Sequence, residues 1–147
     1  MVKQDESINY NHLFMIIIFF IGIVLFSVAW NIDEKLQNTQ CTSTSLKTSN
    51  KLVLCIGTIL IVFSLSFFSC SVYCDKTFDT GPSLLIHIAS IFVLGILLVI
   101  MGSIISTNSI NTCVNSGSPT TIWGLGIILV LISLTYFFMK FKNTKKH

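Results

Sequence analysis

Residues 13–30 read LFMIIIFFIGIVLFSVAW, eighteen consecutive positions without Asp, Glu, Lys or Arg. As a helix this stretch rises about 27 Å, close to the roughly 30 Å of hydrocarbon in a bilayer, so it is long enough to cross a membrane once. Three more apolar stretches free of those four residues follow, at roughly 52–73, 83–106 and 122–139. In lipid an unpaired peptide group costs several kcal/mol, so a helix that satisfies its own backbone is the expected form. None of the stretches alternates with a period of two, which argues against a barrel. The expected fold is all-α: one domain over residues 1–147, built as a bundle of four transmembrane helices.

Composition agrees. The chain has 147 residues, 52% of them hydrophobic and 10% charged, with a mean hydropathy of +0.82, values outside the range of soluble globules. All nine basic residues are Lys, and Ile, Phe, Asn and Ser are abundant. Because A/T-rich codons specify Lys, Ile, Phe and Asn, this points to a low-GC coding genome. A net charge of +3 spread over both ends of the spans is too small and scattered for a nucleic-acid partner.

Four spans put both termini on one side with the link between the second and third helices. That side holds Lys3, Lys76, Lys140, Lys142, Lys145 and Lys146, against Lys35, Lys47 and Lys51 on the other, so the Lys bias puts the termini in the cytoplasm. Trp30 and Trp123 then mark the outer interface, and Tyr10, Tyr73 and Tyr136 the inner one. The tail KFKNTKKH reads as a stop-transfer flank, with a hold on anionic head groups as the alternative. An alternative for the first stretch is a cleavable signal peptide ending at Ser27-Val28-Ala29; its apolar run is longer than a usual signal core, which favours a retained helix.

The two halves resemble each other. Gly57 to Phe68, GTILIVFSLSFF, matches Gly126 to Phe137, GIILVLISLTYF, at six of twelve positions. A shift of 73 aligns Ile18, Phe19, Gly22, Ile23 and Leu25 with Ile91, Phe92, Gly95, Ile96 and Leu98, and one deletion later Cys41 meets Cys113. Two tandem helical hairpins, about 13–73 and 83–141, are the expected parallel repeat. Every helix also carries small residues seven apart: Gly22 and Ala29, Gly57 and Ser64, Gly95 and Gly102, Gly126 and Ser133. Lipid tails are as apolar as Leu, so membrane helices associate by close contact, which small residues permit. These residues are expected to face the bundle interior, with Ala29, Gly57, Gly102 and Gly126 in an outer layer and Gly22, Ser64, Gly95 and Ser133 near mid-membrane. Heptad spacing favours left-handed packing.

Cys41 and Cys113 fall in the outer loops, 31–51 and 107–121, at matching points of the repeat. An oxidising compartment would join them in a disulfide; reduced thiols and bridges between molecules are the alternatives. Cys70 and Cys74, at the inner end of the second helix, are candidates for S-palmitoylation or ordinary interfacial residues, and Cys55 reads as core filler. Apart from Cys and Tyr, His87 is the one titratable side chain within the spans, and it pairs with neither His12 nor His147 at depth as a haem would require. The cysteines lack zinc-ligand spacing, and Cys70 and Cys74 are one residue too far apart for a Cys-x-x-Cys redox pair. A proton-coupled carrier would need Asp, Glu or Lys in the spans. Thr58, Ser64, Ser66 and Ser69 give the second helix hydroxyls, which in membrane helices more often bond a carbonyl than coat a pore. No catalytic, metal or cofactor site is therefore expected.

Four spans, cytoplasmic termini and Trp30 closing the first helix ahead of a Cys41-bearing loop resemble the tetraspan membrane proteins of the claudin and MARVEL types. The resemblance is one of architecture: the Gly-Leu-Trp triplet of claudins and the Cys-Cys-Gly of tetraspanins do not occur. With the A/T-rich composition, the chain also resembles small multi-span proteins of large DNA viruses and low-GC protists. With no catalytic, carrier or metal motif in the chain, the expected function is non-enzymatic: a compact tetraspan that organises membrane or docks other proteins through its outer loops and Lys-rich tail, with the bilayer, other proteins or further copies of the chain as partners. The alternative is a small oligomeric channel or transporter. If Cys41 and Cys113 are bridged within one chain, reduction will shift the protein's mobility on a non-reducing gel and Cys41→Ser will abolish the shift; an unshifted wild-type band would remove the bridge.

Overall fold

A segment of Ile, Leu, Phe and Val can pair its peptide groups in lipid only along itself, and all four apolar stretches are helical in the structure, a computed structural model. It describes residues 3–38, 43–73, 82–108 and 117–144, with side chains placed over 12–37, 43–69, 85–107 and 118–139. The helices are α1 (Lys3–Asn38), α2 (Thr44–Tyr73), α3 (Pro82–Asn108) and α4 (Gly117–Thr144). Each contains a segment long and apolar enough to cross a membrane: His12–Gln37, Thr44–Ser69, Leu85–Thr107 and Ser118–Met139.

Local chemistry sets the ends. Ser43 caps α2: its hydroxyl accepts from Leu46 N at 3.4 Å and its carbonyl from Lys47 N at 3.2 Å. Pro82 opens α3 and Pro119 sits in the first turn of α4, where a missing N–H leaves no helix bond unmade.

The helices form two antiparallel hairpins, α1 on α2 and α3 on α4, and contacts within a hairpin are far more extensive than those of α2 with α3 or α1 with α4. Below, the hairpin end is the one where α1 meets α2 and α3 meets α4; the terminal end is opposite. Buried positions step by three and four along every helix. The seam positions are Met15, Ile18, Gly22, Leu25, Ala29, Ile32 and Leu36 on α1, and Leu46, Asn50, Val53, Gly57, Leu60, Ser64 and Phe67 on α2, with Phe14, Ile21, Ser49 and Ile56 buried beside them. Ile88, Ile91, Gly95, Leu98, Gly102 and Ile105 continue the pattern on α3, and Pro119, Ile122, Gly126, Leu129, Ser133 and Tyr136 on α4.

The expected loop 31–51 is shorter than the sequence suggested, because that pattern continues past the charge-free stretch. Ile32, Leu36 and Leu46 are each at most 2% exposed, while Glu34, Lys35, Lys47 and Lys51 point outward. At the terminal end aromatic contacts join the hairpins: Phe14 stacks on Tyr136 with centroids 4.4 Å apart, and His87 meets the edge of Phe63 at 5.3 Å. His12 lies beside Phe67 and Phe68 within hairpin one.

The surface is as apolar as the seam. Phe20, Ile86, Leu131 and Phe138 are all more than half exposed, and only about a third of each span is buried. Helices that are apolar all round and covered on one side are compatible with a protein solvated by hydrocarbon. Truncating Leu36 or Leu46 to Ala is expected to cost about 2–4 kcal/mol in unfolding, since both are fully packed in the charged extension of hairpin one; a change under about 0.5 kcal/mol would mean that this extension is frayed.

Candidate functional site

What the seam can do follows from how closely its backbones approach. A Cβ placed on Gly22 would lie 3.1 Å from the Gly57 carbonyl oxygen and 2.9 Å from Ile61 Cγ1; one on Gly57 would lie 3.0 Å from Phe26 N and 3.2 Å from the Gly22 carbonyl oxygen. The second hairpin repeats this geometry. A Cβ on Gly95 would lie 3.1 Å from the Gly126 carbonyl oxygen, and one on Gly126 would lie 2.8 Å from Val99 N. Gly102 is as tight, with Trp123 N at 2.8 Å. No larger residue fits these crossings without moving a backbone.

Gly22, Ala29, Gly57, Ser64, Gly95, Gly102, Gly126 and Ser133 are all buried. Their register differs from the two layers expected: Gly57 faces Gly22 rather than Ala29, and Gly126 faces Gly95 rather than Gly102. Seven residues further out, Ala29 is met by Asn50, whose Nδ2 donates to the Ala29 carbonyl at 2.9 Å. Asn50 is fully buried, and its Oδ1 has no partner among the described residues. Reasoning from sequence missed Asn50, because it precedes the charge-free stretch; its place one heptad before Gly57 was the available signal.

The seam hydroxyls of Ser64 and Ser133 are turned onto their own helices. Ser64 donates to Leu60 O and Ser133 to Val130 O, both at 2.9 Å. Thr58 is exposed and donates to Leu54 O, while Ser66 and Ser69 point outward. Cys55 is not core filler: it is exposed, two residues and so about 200° of helix away from Gly57. Cys70 lies in α2 with its side chain outside the described residues, and Cys41, Cys74 and Cys113 lie outside them altogether. His12 and His87 sit in the aromatic contacts at the terminal end, on different helices. Among the described residues no three His, Cys, Asp or Glu converge as a metal site would require.

A cavity of about 300 Å³ opens at the hairpin end between α3 and α4. The hydroxyl residues Ser103, Ser106, Thr107 and Thr120 line it together with Gly102, Pro119 and Trp123. Compared with family models, curated proteins and solved structures, the chain matches none.

The seam makes a paired prediction two residues apart. Gly126→Ala must push Val99 N aside and is expected to cost about 1–3 kcal/mol in unfolding from detergent or bicelles. A Cβ on Gly124 meets nothing within 4 Å, so Gly124→Ala is expected to leave stability unchanged or raise it by up to about 1 kcal/mol. Equal effects from the two would contradict the close crossing.

Proposed function

We propose that this chain is a non-enzymatic, multi-pass integral membrane protein with a structural role: a compact bundle that organises membrane or docks other proteins through its hairpin-end loops and Lys-rich tail. The observation that carries this reading is the closure of both seams. Glycine backbones meet at each crossing, Leu25, Leu60, Leu98 and Leu129 fill the seam with no exposure, and the Ser64 and Ser133 hydroxyls are spent on their own helices. A bundle packed this way is a rigid post in lipid, with the chemistry it offers at its two ends.

The same reading makes the protein two tandem hairpins in left-handed packing, with both termini cytoplasmic. Burial supports the repeat. At an offset of 73, Ile18, Gly22, Leu25, Ala29 and Ile32 pair with Ile91, Gly95, Leu98, Gly102 and Ile105, all buried; at 69, Val53, Gly57, Leu60, Ser64 and Phe67 pair with Ile122, Gly126, Leu129, Ser133 and Tyr136, also all buried. The unbroken seven-residue period along each seam supports left-handed coiling.

Purified protein reconstituted in liposomes should give an ion flux indistinguishable from that of empty vesicles. Sustained flux would replace the structural reading by an oligomeric pore. Cross-linking in the native membrane should capture stable protein neighbours, and their absence would count against a docking role.

A further inference from the structure

The two hairpins close on the same register, Gly22 on Gly57 and Gly95 on Gly126, so the residues around each crossing can be compared place by place. On that register the groove residues Ser103, Ser106, Thr107 and Thr120 stand where hairpin one has Trp30, Asp33, Glu34 and Lys51. Hairpin two has thus exchanged an indole and three charges for four small hydroxyl residues, and that is where the cavity of about 300 Å³ lies. We infer that this groove binds the polar end of a neutral lipid alcohol with a rigid ring body, a sterol. The inference rests on the reading of the chain as a membrane protein.

Three features select the ligand. No lining residue carries a charge, so no side chain of the groove neutralises a phosphate head group. The hydroxyl protons already placed point into the helix: Ser103 donates to Val99 O at 2.9 Å, and Thr107 donates to Ile104 O at 3.0 Å and Ser103 O at 3.2 Å. What these two side chains present outward is acceptor lone pairs, which calls for a donor such as an alcohol O–H. The third feature is the wall. Trp123 is 44% exposed, and Gly102 holds α3 against its backbone, so a flat indole flanks the groove. A rigid ring system gives up little conformational freedom against such a wall, whereas an acyl chain must be ordered. The groove also lies where the spans of α3 and α4 end, at Thr107 and Ser118, the level at which a lipid's polar end sits.

The test is photo-cross-linking of the full chain, in phosphatidylcholine vesicles, with a photoactivatable, click-tagged sterol analogue and peptide mapping. Labelling is expected on the peptides spanning the groove residues, displaced by unlabelled sterol and not by ceramide. It should fall about fivefold or more in Ser103→Trp, which restores the bulk found in hairpin one, and in Thr107→Val, which removes one acceptor, and stay unchanged in Gly124→Ala. Thr107→Val keeps the test decisive should Ser103→Trp fail to fold. Labelling that maps elsewhere, survives a folded Thr107→Val, or is displaced equally by ceramide would overturn the sterol site. Flotation of the vesicles separates the two readings: a chain that does not float with lipid ends the membrane reading, while a chain that floats without groove labelling ends this one alone.

Discussion

Two backbone-to-backbone crossings, Gly22 on Gly57 and Gly95 on Gly126, hold everything else in place. At each, a missing Cβ lets a carbonyl oxygen come to about 3 Å from where that carbon would stand. In hydrocarbon no gain comes from hiding one apolar surface against another, so attraction must come from the density of contact. Each crossing then sets the level of its neighbours. Asn50 reaches the Ala29 carbonyl one heptad out, and Leu25, Leu60, Leu98 and Leu129 pack without exposure between the small residues.

The hairpins differ most at the end where their helices turn. Hairpin one runs on as a charged extension with Ile32, Leu36 and Leu46 packed inside it and Asn50 buried beneath. Hairpin two has Pro119 where Asn50 would stand and small hydroxyls where the charges would be, and it opens into a groove. One packing scheme thus supports a polar projection on one side and an uncharged recess on the other. A bundle held by close crossings at its centre can vary its ends in this way without disturbing its fold.

Much of this architecture is legible in the sequence, since an uncharged run of eighteen mostly apolar residues is expected to be helical in lipid. Other parts are not. That Gly57 meets Gly22 and not Ala29 depends on where the chain turns, and α1 and α2 continue as helix to Asn38 and from Thr44 in a region that charge alone marks as loop. A register error of seven residues preserves the face of every side chain, so periodicity cannot detect it; only the turn can. Cys55 was misplaced although its angle from Gly57 was available, because an apolar residue in a span looks alike on either face. The groove had a signal at the repeat offsets of 73 and 69, where Ser103, Ser106, Thr107 and Thr120 replace Trp30, Asp33, Glu34 and Lys51, but that this lack of bulk leaves a recess shows only in the packed helices.

Cysteine pairs read that register directly. In a background freed of native cysteines, Ala29→Cys with Asn50→Cys places two sulfurs where the Asn50 side chain already meets the Ala29 backbone, Nδ2 to carbonyl oxygen at 2.9 Å, and leaves the crossing glycines untouched. Leu36→Cys with Asn50→Cys would be about 10 Å apart along the seam. Rapid oxidation of the first pair in lipid vesicles, with the second remaining reduced, is the expected result; oxidation of the second pair instead would mean that the helices meet one heptad away and that the crossings described here do not exist.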